Sequence, residues 1–163
     1  MIHFTVSGRA EPAGSKRAFV NKKTGRAQVV DANPKAKEWK FLVGREALIA
    51  LNGRALLDGP LWLVVEFFQV RPRGHYGTGA NAAKLKASAP MYPTGPPDCT
   101  KLLRAVEDAC QGVLYRNDSQ IVQQNVCKNY GPSARVEVSV SGIREYQEAE
   151  EIMYRHTWRA DKT

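Results

Sequence analysis

Pro97-Asp98-Cys99-Thr100-Lys101-Leu102-Leu103-Arg104-Ala105-Val106-Glu107-Asp108-Ala109-Cys110-Gln111-Gly112 is the stretch that decides how this chain is read. Leu102, Leu103, Val106, Ala109 and Cys110 recur at the spacing of one helix face. Asp98, Lys101, Arg104 and Asp108 fall on the opposite side, within a stripe roughly 120° wide at about 100° per residue. Gly112 suits the residue just past the helix end. The spacing predicts a helix over 97–111, with a carboxylate at its start and two cations on its outer side.

Working outward, Leu61–Val70 is apolar except for Glu66 and Gln69 and has the length of a strand. Between this strand and the helix lie residues 71–97. This segment carries Arg71, Arg73, His75, Lys84 and Lys86, is rich in glycine and proline, and holds no acidic residue. Loops of that length in compact domains are commonly functional. A short helix is expected over 80–86. After Gly112, residues 120–128 and 135–141 read as strands, with Val136, Val138 and Val140 alternating.

Towards the start of the chain, Ile2, Phe4 and Val6 alternate with polar residues, which predicts a half-buried strand over 2–8. The basic turn Arg9–Arg17, with Lys16 and Arg17 at its end, leads into short strands at 18–21 and 26–30. Asn33-Pro34 opens a helix over 34–51, with Ala36, Trp39, Val43, Ala47 and Ala50 on its apolar face. Trp39 and Trp62 read as core. Glu145–His156 reads as a charged C-terminal helix. The element order gives an α+β class: a single domain over 1–142, with a small mixed β-sheet packed against two main helices, and a charged tail over 143–163.

Composition narrows the function. No run of 18 apolar residues exists, so a membrane span is excluded, and no membrane partner is expected. The first residues lack the pattern of a secretory signal. Cys99, Cys110 and Cys127 are too few and too scattered for a disulfide framework or a zinc site, which suits reduced thiols in a cytoplasmic protein. The net charge is +8, and it is unevenly placed. Residues 1–97 hold 15 Lys and Arg against 6 Asp and Glu, whereas 98–163 hold 9 against 10. The front of the chain therefore points to a polyanionic partner.

Hydrolysis of a phosphodiester needs a divalent cation held by carboxylates and gains from a cation near the phosphate. Asp98 and Asp118 suit the first task and Arg104 the second, because its guanidinium can grip a phosphate bidentately. Spacing alone also allows plainer roles. Asp98 suits a helix N-terminus, and Asp118 beside Asn117 suits a turn.

The blocks Pro97–Ala109 and Gly112–Val122 resemble the core motif of the RusA family of Holliday-junction resolvases, common in phages and prophages. That motif reads approximately PDxDNLxKxxxDALxGxxxxDDxQV. The resemblance extends more loosely over residues 2–142. It implies a homodimeric endonuclease that uses Mg2+, with Mn2+ as an alternative ion, and that cuts four-way DNA junctions by paired nicks. No small-molecule cofactor is implied. Three aspartates and a lysine form the family's site. Asp98 matches the first aspartate, Asp118 the third and Arg104 the lysine, which makes Asp98, Asp118 and Arg104 the expected catalytic residues. Thr100 stands at the second aspartate, so the expected metal ligands are Asp98, Asp118 and a hydroxyl that brings no charge. Lys101 stands for the usual asparagine, and Asn117 for the first residue of an acidic pair.

Glu107 lies about 10 Å further down the helix than Thr100, so it is not placed to replace it. Glu66 is kept as a candidate. DNA contacts are expected from Lys101, Arg71, Arg73, His75, Lys84, Lys86, Lys16 and Arg17, with Tyr76 stacking on exposed bases. The helix carries the chain roughly 20 Å from Asp98 before it turns. Asp118 then either returns along a strand to Asp98 or meets the partner subunit's Asp98. The sequence leaves both open. Two other readings stand beside the nuclease. One is a junction-binding module of the same fold that has lost cleavage through Thr100. The other is a basic interaction protein with no preference for nucleic acid.

Overall fold

Alternation of apolar side chains builds a four-stranded sheet. The computed structural model describes residues 1–14, 16–31 and 33–144, so the helix expected over 145–156 lies outside the described residues. The strands β1 (Ile2–Ser7), β4 (Leu61–Val70), β5 (Ile121–Gly131) and β6 (Arg135–Gly142) pair in the order β1-β6-β4-β5. The β1/β6 and β6/β4 pairs are antiparallel and β4/β5 is parallel. A parallel pair needs a long crossover. Here that crossover is the loop 71–97 followed by helix α2 (Cys99–Cys110). The class is α+β, as expected.

One face of the sheet is apolar and lies under two helices. Ile2, Phe4 and Val6 of β1, Leu61, Leu63, Val65 and Phe67 of β4, and Val136, Val138 and Val140 of β6 all point to this side and are buried. Helix α1 (Lys35–Leu51) covers them with Trp39, Val43, Ala47 and Leu51. Helix α2 adds Leu102, Leu103, Val106 and Cys110. A methyl group on Gly44 would stand 3.3 Å from the Ala109 carbonyl, so glycine lets α1 and α2 approach closely. Lys40 of α1 pairs with Asp108 of α2 at 2.6 Å across the same contact. No helix among the described residues is long and apolar enough to cross a membrane.

The period of two also settles two residues of β4. Glu66 and Trp62 alternate with the buried set and pair with Cys127 and Gln123 on the face away from the helices. Trp39 is core, whereas Trp62 is half-buried on the opposite face. Glu66, kept as a candidate from sequence, is thereby turned away from α2.

Strands β2 (Lys16–Val20) and β3 (Ala27–Asp31) form a separate antiparallel ribbon about the Asn21–Arg26 turn. Asn33 receives the Lys35 N–H on its side chain at 3.1 Å and ties back to Glu11 and Pro12, which fixes the start of α1 against the residues ahead of β2.

Buried Cys110 gives a direct check on this packing. Burial, with the Glu107 charge second, pushes its thiol up to about 12. Cys99 and Cys127 are only half-buried, and all three are free. A thiol reagent at neutral pH should modify Cys99 first. Cys127 should follow more slowly, since burial and then Glu66 raise its thiol. Cys110 should react only after urea is added. Native-state labelling of Cys110 at the rate of Cys99 would contradict the packing.

Candidate functional site

Helix α2 lies antiparallel to β5, so its two ends meet two different parts of that strand. At its N-terminal end, Lys128 of β5 donates to the carbonyls of Gly95 at 2.8 Å and Pro97 at 3.0 Å. Asp98 is the residue that precedes the helix. Its side chain makes no capping hydrogen bond and instead faces Lys101, with 3.0 Å between Oδ2 and Nζ. Both side chains are largely exposed, so this pair contributes little to stability and leaves the carboxylate accessible. Thr100 is exposed beside them. The Ala13 N–H donates to the Lys101 carbonyl at 2.8 Å, which lays residues 9–14 against this end of α2. Asp98 thus stands outside the carboxyl ends of the parallel strands, where open α/β sheets place their ligands.

At the other end, Glu107 is half-buried and receives a hydrogen bond from the Gln124 amide of β5. Burial pushes its carboxyl above the ordinary value. The Gln124 hydrogen bond opposes this, the charges of Asp118 and Asp108 add to it, and Arg104 opposes them. Asp118 therefore lies near enough for its charge to reach Glu107. It is exposed at the head of a one-turn 3-10 helix, Asp118–Gln120, just before β5. Asn117 accepts the Ser119 N–H at 2.9 Å, and the Gln120 side chain accepts the Asn117 N–H at 3.1 Å, a reciprocal capping box. The Gln120 amide also donates to the carbonyls of Leu57 and Gly59 at 3.3 Å. Asn117 therefore has a backbone task that a carboxylate could share, and the turn holding Asp118 is fixed to the chain ahead of β4.

The structure brings Asp98, Thr100 and Lys101 together, and separately Arg104, Glu107 and Asp118. The rise of α2 alone puts about 13 Å between Asp98 and Glu107. Among the described residues, no group of three or more His, Cys, Asp or Glu is gathered to hold a metal ion. The oxygen donors that are present suit a hard cation, and Mg2+ takes only one or two carboxylates when substrate phosphate supplies the rest. Asp98 with Thr100 meets that need at one end of the helix, and Asp118 with Glu107 meets it at the other.

The loop 71–97 is folded on itself. Arg71 lies over the Tyr130 ring, 4.0 Å from its centroid, and donates to the carbonyls of Pro90 and Met91. The His75 ring meets the same tyrosine edge-on at 5.6 Å. Lys86 donates to the Gly74 carbonyl at 2.8 Å. These three expected DNA contacts hold the loop in shape. Arg73 and Lys84 are exposed and form no ion pair with a described residue. Lys16 and Arg17 lie on β2, at the base of the ribbon.

No α-helix forms over 80–86, and a one-turn 3-10 helix covers only Gly79–Asn81. Gly79 has φ +56, and a methyl group on Gly77 would meet the Asn81 carbonyl at 2.6 Å. The chain turns tightly there instead, and Tyr76 bridges to Leu85.

Sequence reasoning missed Gln120, Gln124, Lys128 and Tyr130. Only Gln120 had a legible signal, in the Asn117-x-x-Gln120 spacing of a capping box. Gln124, Lys128 and Tyr130 share one side of β5, the side that faces α2 and the loop.

The family model for endodeoxyribonuclease RusA matches residues 10–141. The uncharacterized protein YqaN of Bacillus subtilis (strain 168) is 31% identical over 147 residues, which cover 87% of this chain and 96% of that protein. The family match runs from the segment laid on α2 to the end of β6. It takes in both ends of the helix, the acid-free loop and the turn that carries Asp118, and on that ground the chain belongs to the RusA endodeoxyribonuclease family.

Proposed function

We propose that this protein is a divalent-metal-dependent endonuclease that hydrolyses phosphodiester bonds at four-way DNA junctions, working as a homodimer. The observation that carries this reading is the placement of α2. Its exposed carboxylate Asp98 stands beside Lys101 at the carboxyl ends of β4 and β5, next to a folded loop that holds no acid and presents Arg73 and Lys84. Two-fold symmetry of the substrate suits a two-fold dimer.

Asp98 and Asp118 are the proposed ligands of Mg2+ or Mn2+, with Thr100 beside the first and Glu107 beside the second. When bound, the ion supplies Lewis-acid stabilisation of the phosphate charge and a more acidic water. The chain's own residues do the rest. Lys101 neutralises the Asp98 end and meets a backbone phosphate. Arg104, about one turn from Lys101 and from Glu107, offers a fork to the oxygens on which charge develops. Gln124 orients Glu107, and Asn117 with Gln120 holds Asp118 in place. Arg73 and Lys84 bind duplex arms through phosphates, which positions the DNA without reading its bases.

The test is cleavage of an end-labelled synthetic four-way junction and its matched duplex in Mg2+, Mn2+ and EDTA. Paired nicks in the junction alone are expected. Equal cutting of the duplex would refute junction selectivity. One observation favours a second reading, a junction-binding module without cleavage: Lys101 already occupies Asp98, and Thr100 adds no charge. That reading predicts tight junction binding in EDTA and no products in either metal.

Phosphate contacts make affinity fall with salt, at a slope of about 0.9 in log units per contact. Arg73→Ala and Lys84→Ala should each reduce that slope by about one and weaken binding to every sequence alike. Titrations of labelled junction across a salt series check this. An unchanged slope in both variants would remove the loop from the DNA interface.

A further inference from the structure

We propose that the cleft at the carboxyl end of β4 is a slot for one unstacked nucleobase of the strand held beside Asp98. The inference rests on the DNA-acting reading above and deepens it, because it assigns the part of the chain that recognises a branch point. The cleft has a volume of about 330 Å³. At about 30 Å³ per water it holds roughly eleven waters, which leaves ample room for one base.

The lining fits such an occupant. Phe67 and Leu102, each 1% exposed, form an apolar floor, and Pro97 and Ala10 form side walls. No acidic residue lines it. Such an apolar lining excludes charged groups and suits the uncharged ring of a base without regard to which base it is. Gln69 also lines the cleft, and its amide carries a donor and an acceptor side by side, the pairing that matches an adenine edge. Arg9 is exposed at the mouth and makes no ion pair with a described residue, so its guanidinium is available to the flanking phosphate.

Position completes the argument. Pro97, one wall of the slot, is covalently joined to Asp98, and Leu102 follows Lys101 on the first turns of α2. A base in the slot therefore fixes its own backbone at the Asp98 end of the helix. Intact duplex keeps its bases stacked, and removing one costs free energy that is least where pairing is already broken. A slot that must be filled thus favours the branch point over a duplex arm without any contact to distant sequence.

The experiment measures junction affinity in EDTA with an abasic nucleotide placed in turn at each branch-point position. The native protein is expected to lose about tenfold at one position per strand and less than twofold at the others. Ala10→Phe, which fills the slot, should bind the intact junction about tenfold more weakly, keep its duplex affinity, and show no further loss on the abasic junction. Gln69→Ala should flatten the ranking of the four bases at that position. Uniform affinity of the native protein across all abasic junctions overturns the slot, whether or not Ala10→Phe folds, and leaves junction binding intact. An abasic loss that persists unchanged in both variants also overturns it, since the base is then read elsewhere. If the native protein binds junction no better than duplex, the reading beneath it has failed instead.

Discussion

Asp118→Asn is expected to lower junction cleavage by about a hundred- to a thousandfold, while binding in EDTA stays within about twofold. Removing one charged group that acts on the transition state costs several kcal/mol, and each 1.36 kcal/mol is about tenfold in rate. Binding survives because Asn117 and Gln120 hold the turn through their own hydrogen bonds, which do not involve the Asp118 side chain. Two further variants tell which end of α2 the reaction uses. If Asp118 works with its neighbour, Glu107→Gln falls with it and Asp98→Asn retains most of its rate. If both ends serve one centre, Asp98→Asn falls as far as Asp118→Asn. Within one protomer the ends are separated by the length of α2, so that result would require a second copy. Thr100→Asp, which restores a carboxylate beside Asp98, should then increase cleavage at low Mg2+. Native-rate nicking by Asp118→Asn would sink the assignment. Quantified nicking of a labelled junction, with gel-shift binding in parallel, reads every arm.

Leu63→Ala is expected to cost about 2–5 kcal/mol. Leu63 is fully buried at the middle of β4, the strand that pairs on both sides and lies beneath both helices. It belongs to a core cluster shared by strands and both helices, so the surroundings cannot all collapse into the space. Leu63→Met keeps the volume and should cost under about 1.5 kcal/mol. Val122→Thr, at a position 62% exposed on β5, should stay within about 0.5 kcal/mol. Urea midpoints at constant slope measure all three. A Leu63→Ala midpoint close to native would mean that the sheet and helices do not share one core.

Much of this fold was legible because its periodicities and its burial agree. Leu61–Val70 appears with the bounds its composition suggested, and the alternating valines of β6 all face the core. Strand β5 was cut short at 128. It runs on to Gly131 because it pairs with β4 to its end, and its polar residues carry no alternation that announces this. Strand order was hidden as well, since nothing in a strand's own residues says that β1 will lie beside β6.

The site divides the same way. Asp98, Arg104 and Asp118 could be singled out because charge on a helix face and beside a turn can be counted. Their partners could not be. Helical rise separates Glu107 from Thr100, but the charge of Asp118, brought in by the turn after the helix, reaches Glu107. Arg71 and Lys86 looked like free cations because their carbonyl partners leave no mark in a sequence. Tight turns beginning at Gly77 and Gly79 take the place of the short helix, which the alanine-rich composition after them conceals.

The pairing of β1 with β6 bears on how the chain is made. Ile2 lies opposite Val140, and among the described residues β6 is the only neighbour β1 has in the sheet. Translation at about 5–20 residues per second separates the two by roughly 7–28 seconds. Throughout that interval the apolar row Ile2, Phe4 and Val6 has emerged from the ribosome without its strand partner. The sheet therefore forms as a late, long-range closure rather than by growth from the first strand. A nascent chain arrested before Arg135 leaves β4 with one neighbour and β1 with none, and such a chain should remain protease-sensitive and in need of chaperone protection until β6 is released.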